Sequence, residues 1–161
     1  MEGTLDLSFE VARKSIIDRI ATNSFYRGER IKEVNGLQAA RLQAGVDNED
    51  ILKDEIEIAA ADVTAVITRC LGRCVLTLEE KDGGEENEWY TLKFSVLAAS
   101  NFPTELTKSV ENAIEVYLFD KALEAWMLVN MPDEVQALGQ RCVADAEKLR
   151  QLLVERKKPV R

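Results

Sequence analysis

Histidine is absent from all 161 residues. That removes the one side chain whose ordinary pKa lies near neutrality, so any acid–base work would fall to paired carboxylates. It also removes the commonest zinc ligand. Cysteine is scarce: Cys70, Cys74 and Cys142 are the three present. An odd number with this spacing matches neither a secreted disulfide framework nor a zinc site. Cys70 and Cys74 lie four apart and could share a helix face. The expectation is half-buried thiols in a reducing compartment.

Aromatic residues make up 6% of the chain, too few for a carbohydrate or base-stacking surface. No apolar run approaches the roughly 18 residues of a membrane span. The N-terminus is acidic and amphipathic rather than basic then apolar, so no signal peptide is expected. The chain therefore reads as soluble and intracellular. No serine sits in a nucleophile elbow. No glycine-rich loop links a strand to a helix, as phosphate binding requires. Carboxylate pairs such as Glu111 and Glu115 fall on expected solvent faces. The reading is of a protein that is not an enzyme, with no catalytic residue, no metal and no cofactor.

What is present is charge, unevenly spread. The formal net charge is −8, yet Lys148–Arg161 holds six basic residues and one acid, so the rest of the chain carries −13. Arg156, Lys157, Lys158 and Arg161 form a basic tail, residues 156–161. Two readings stand: contact with an acidic partner or DNA, or a solubilising end that suits the helix dipole. The acidic body is a poor nucleic-acid wrapper. A second charged stretch, Glu79–Glu88, has six acids and one lysine. It lacks the ligand order of an EF-hand and reads as a solvated hairpin tip.

The length suits one domain over residues 1–161. Apolar periodicity predicts a mainly α fold, a bundle of about four helices over 8–23, 48–72, 104–130 and 133–156. Ser8 would cap the first, whose stripe is Phe9, Ala12, Ile16 and Ile20, widened by Val11 and Ile17. From Tyr26 to Gly45 the pattern weakens into a loop with a short helical turn. Asp47 caps the second helix, which runs through Leu52, Ile56, Ala59, Val63 and Cys70. Ala59, Ala60 and Ala61 permit close approach of another backbone. Gly72 would close that helix in the left-handed conformation. Alternation then predicts an inserted β-hairpin at about 75–96, with Leu76, Leu78, Leu92 and Phe94 on the helix side. A lone hairpin is marginal, so it must pack on the helices or on another chain. Pro103 and Thr104 start the third helix, which is apolar on more than one face and so central. Asp133 caps the fourth, with a stripe of Val135, Leu138, Cys142, Ala146, Leu149 and Leu153; Gly139 within it would permit a close crossing. Trp89, Tyr90 and Trp126 read as core or interface anchors.

The stretch Asp47–Arg73, an acidic entry followed by ILKDEIEIAAADVTAVITRCLGR, resembles the hallmark helix of head–tail connector (adaptor) proteins of tailed bacteriophages. Asp47, Asn48, Glu49, Ile51, Leu52, Ile56, Ala59, Ala60, Val63, Leu71, Gly72 and Arg73 carry the likeness. The hairpin and the long segment before the second helix depart from the simplest adaptor pattern. The resemblance implies a structural virion protein of the phage or prophage neck, made in the host cytoplasm. It implies a homo-oligomeric ring of about twelve copies joining the portal protein to tail or neck proteins. DNA would pass through the lumen without sequence-specific binding and no membrane would be involved. The tail residues Arg156, Lys157, Lys158 and Arg161 would then be free to reach a partner or DNA. The alternative is a non-catalytic helical protein-interaction module.

Overall fold

The computed structural model describes residues 3–31, 49–80 and 90–158. The loop and helical turn expected up to Gly45, the Asp47 cap, the acidic hairpin tip, Trp89 and Arg161 lie outside the described residues or largely so. Within them the fold is mainly α-helical with a small antiparallel sheet. The order is β1 (Thr4–Ala12), α1 (Arg13–Ile31), α2 (Glu49–Cys70), β2 (Cys74–Glu80), β3 (Tyr90–Ala99), α3 (Thr107–Asn130) and α4 (Val135–Val154). Single 3₁₀ turns, Thr104–Leu106 and Pro132–Glu134, precede the last two helices. Asp133 therefore sits within a 3₁₀ turn, ahead of α4.

The N-terminal segment corrects the sequence reading. Ser8 does not cap a helix; it lies within β1. The stretch LDLSFEV alternates apolar and polar at period two, and Leu7, Phe9 and Val11 are buried while Asp6, Ser8 and Glu10 are exposed. The helix begins at Arg13 and runs to Ile31, beyond the expected end at residue 23 and through the start of the expected loop. Ile16, Ile17 and Ile20 point into the core as expected.

Because β1 is a strand, the hairpin is not alone. The sheet order is β1-β3-β2, with β3 in the centre. Cross-strand rows fix its inner face: Leu7, Val96 and Cys74; Phe9, Phe94 and Leu76; Val11, Leu92 and Leu78. Phe9, Leu92 and Phe94 are fully buried, and Phe102 meets Phe9 edge-to-face at 6.5 Å between ring centroids. Leu76 is half-buried against the core. Leu78 shares that face but lies where helix cover ends, and it is 44% exposed. The other sheet face carries Asp6, Glu10, Lys93, Thr77 and Glu79, the usual division of an antiparallel sheet with one wet side.

The helices cover the inner face. Helix α3 packs on α1, α2, α4 and β1, and it buries eleven residues around its circumference, Asp120 among them. Its apolar sequence on more than one face reflects this central place. Ala59 and Ala60 of α2 are buried and Ala61 is exposed. Helix α4 buries Leu138, Cys142, Leu149 and Leu153, one stripe at helical spacing. Gly139 does not mark a close crossing: a Cβ there would meet Glu124 Oε2 at 3.7 Å, an ordinary contact.

The α2–β2 junction is tightly specified. Gly72 has φ of 150°, positive but not the left-handed helical value expected, and an added Cβ would stand 2.7 Å from the Leu97 carbonyl oxygen. The Thr68 hydroxyl donates to the Thr64 carbonyl at 2.8 Å and accepts the Cys74 N–H at 3.2 Å. Cys70 ends α2 and Cys74 begins β2, so the two thiols do not share a helix face.

Candidate interaction surface

Arg156, at the root of the basic tail, is fastened to the fold. Arg156 is half-buried: its Nη2 donates to the Cys70 carbonyl at 2.9 Å, and its Nη1 to the Leu153 and Glu155 carbonyls at 2.8 and 2.7 Å. One guanidinium thus satisfies carbonyls at the C-terminal ends of both α2 and α4, where helices leave acceptors unpaired and the dipole favours a cation. The Lys157 N–H donates to the Asn101 carbonyl at 2.7 Å. The side chains of Lys157 and Lys158 are exposed.

This docking gathers charges that are distant in sequence. Arg69 and Arg73 flank Cys70 at the end of α2 and are exposed. Arg69 and Arg150 rim one groove of about 460 Å3 between α2 and α4, floored by Val66, Cys70 and Ala146. Val143 beside it is 72% exposed. Arg150 donates Nε to Glu147 Oε2 at 3.0 Å and Nη2 to Oε1 at 2.5 Å, which holds that carboxyl below its usual range. Arg69 and Arg150 therefore line the groove, and Arg156 is held on the carbonyl of Cys70, which also lines it. Sequence reading found the tail and not its place beside Arg69. It could not know that α2 and α4 end side by side.

A second polar group lies inside the α3–α4 contact. Asp120 is 1% exposed and accepts from Arg141 Nη2 at 2.6 Å. Burial, then a hydrogen bond and repulsion from Asp145, push its pKa up to about 7 against the opposing charges of Arg141 and Arg19. Crowding by a second carboxyl favours the neutral form of Asp120, and the Asp145 Oδ2 beside it is buried. Burial and the Glu124 carboxylate push the Cys142 thiol up to about 12, so it stays an S–H donor to Glu124. The Tyr117 hydroxyl, raised to about 12 by burial and by Asp62, ties α3 to α2.

Glu111 and Glu115, expected on a solvent face, are fastened to the β1–α1 corner. Glu111 Oε2 accepts the Glu10 N–H at 2.8 Å, and Glu115 Oε1 accepts from Ser15 Oγ at 3.0 Å. Arg19 lies 3.5 Å from Glu115 and stacks over the Phe119 ring at 4.6 Å. Both carboxylates are thus committed to joining elements, a positioning role. Arg19 and Arg141 also line an open cleft of about 800 Å3. Asp120 sits outside its lining. Compared with known protein families, curated proteins and solved structures, the chain matches none.

Proposed function

We propose that this protein is a non-catalytic helical interaction module whose working surface is the basic end of α2 and α4. The supporting observation is the docking of Arg156 on the carbonyl of Cys70, a residue that lines the apolar groove with Arg69. A groove with an exposed valine, rimmed by Arg69 and by the Arg150–Glu147 pair, suits an apolar segment that carries an acid for Arg69. Electrostatics of this kind govern encounter and register more than affinity. The test substitutes Lys157→Glu and Lys158→Glu together, both side chains being exposed, and follows partner binding across a salt series. The expected result is slower association with a flatter salt dependence. Unchanged binding would remove this end from the function.

A narrower second reading is the neck connector. It is favoured by the likeness over Asp47–Arg73, whose helical part is α2 followed by the Leu71–Arg73 corner. An acidic body would repel DNA moving through a ring lumen. Mixing the purified protein with portal rings and viewing them by electron microscopy tests this reading. A ring of copies on one portal face is the expected result, and bare portals at saturating protein would refute it. Portal and terminase genes beside its own would support it cheaply.

A further inference from the structure

The solvent face of α2 combines two features that its place in the fold does not explain. Ile51 and Ile58, two turns apart, are 55% and 61% exposed, and the exposed Ala61 and Ala65 continue the strip. The charge along this side changes sign: Asp54 stands near its start and Arg69 in its last turn, both exposed. Acids near the N-terminus and a cation in the last turn suit the dipole of a single helix. The dipole does not call for isoleucines facing water between them.

We propose that this face docks the same face of a second copy of the chain, antiparallel, about a twofold axis near Ala61. The register carries the argument. Asp54 and Arg69 are equally far in sequence from the midpoint between Ala61 and Asp62. Ile58 and Ala65 are likewise equidistant from it. Antiparallel pairing about that midpoint sets Asp54 against Arg69 of the other copy and each Ile58 against a small alanine. Large-against-small pairing lets helices approach closely. Parallel pairing would instead set Asp54 beside Asp54 and Arg69 beside Arg69. Glu57, on the flank, is engaged internally with Arg13 at 3.2 Å, and Asp62, beside the axis, lies close enough to the Tyr117 hydroxyl to raise its pKa.

An isologous contact uses one self-complementary patch, which this face supplies. A 22-residue helix is about 33 Å long. A strip about 12 Å wide along it covers roughly 400 Å2 on each partner, about half of a standard interface. The dimer is therefore weak and concentration-dependent, with dissociation in the micromolar range or above.

The inference shares Arg69 with the proposed function but stands on a different face, so the two fail separately. Substitution of Lys157 and Lys158 leaves the dimer intact, whereas Ile58→Asp leaves the tail intact. Sedimentation equilibrium of the full chain from micromolar to millimolar concentration is the test. A monomer–dimer equilibrium is expected. Ile58→Asp, at an exposed site, weakens it at least tenfold with the dilute melting temperature unchanged. Asp54→Arg and Arg69→Asp each weaken it, and the two together in one chain restore it, because the swapped charges again face each other. A strict monomer, a dimer indifferent to Ile58→Asp, or a double variant that stays weak overturns the proposal. A ring larger than a dimer also overturns it, while favouring the connector.

Discussion

Replacing Arg156 by alanine tests whether the tail belongs to the fold. Three donor contacts of 2.7 to 2.9 Å would be lost, to carbonyls at the ends of two helices and in the chain between helix and tail. A charged donor bonded to a carbonyl is worth about 1.5–3 kcal/mol when buried. Here the side chain is half-buried, so water replaces part of the loss, and the three contacts share one guanidinium. The expected destabilisation is about 2 kcal/mol. For a chain of this size 1 kcal/mol shifts the melting temperature by roughly 2–4 °C, so a fall of about 4–8 °C is expected. Arg156→Lys should recover part of it, since one ammonium lacks the planar fork that reaches both helices. Lys157→Ala is the control: its contact is a backbone N–H to Asn101, which alanine keeps. Thermal melts by circular dichroism at dilute concentration read all three. A melting temperature for Arg156→Ala within about 1 °C of the parent would refute the reasoning and return the tail to a solvated end.

Leu92→Asp should prevent stable folding or cost several kcal/mol in chemical denaturation, because Leu92 is fully buried in the central strand between Val11 and Leu78. An unchanged midpoint would mean this sheet face is open. Gly72→Ala should cost about 1–3 kcal/mol by the same assay, from its positive φ and the Leu97 carbonyl 2.7 Å from the new methyl. Asp120 has a raised pKa in the fold, so its contribution is present below the ordinary carboxylate range near 4 and is lost as pH rises to about 7. The stability difference between the parent and Asp120→Asn should therefore change across pH 4–7 and level off above it; a flat difference would show that Asp120 keeps an ordinary pKa.

Helices α3 and α4 were legible because each satisfies a single period. Leu138, Cys142, Leu149 and Leu153 fit steps of three and four and no alternation. Residues 5–20 satisfy two periods at once. Phe9, Ala12, Ile16 and Ile20 read as a helix stripe, while Leu5, Leu7, Phe9 and Val11 alternate as a strand. Pairing with β3, far along the chain, decides between them, and local pattern carries no trace of it. The basic tail was legible as composition. Its attachment was not, because Arg156 bonds a backbone carbonyl, which any residue supplies. Asp120 stood in plain view inside an apolar run. Its partners Arg141 and Asp145 lie on another helix, and only the α3–α4 crossing selects them.

The sheet order β1-β3-β2 has a consequence for synthesis. Among the described residues the first strand pairs with the central one alone, so Phe9 waits for Phe94. At roughly 5–20 residues per second, β1 emerges several seconds to more than ten seconds before its partner exists. During that interval it is an unpaired strand whose alternate residues are apolar, the kind of segment that joins edges with other nascent chains. Asp6 and Glu10, which face water in the finished sheet, interrupt the apolar sequence and act as gatekeepers while the chain is incomplete. They are expected to matter more to the yield of folded protein than to its stability once folded.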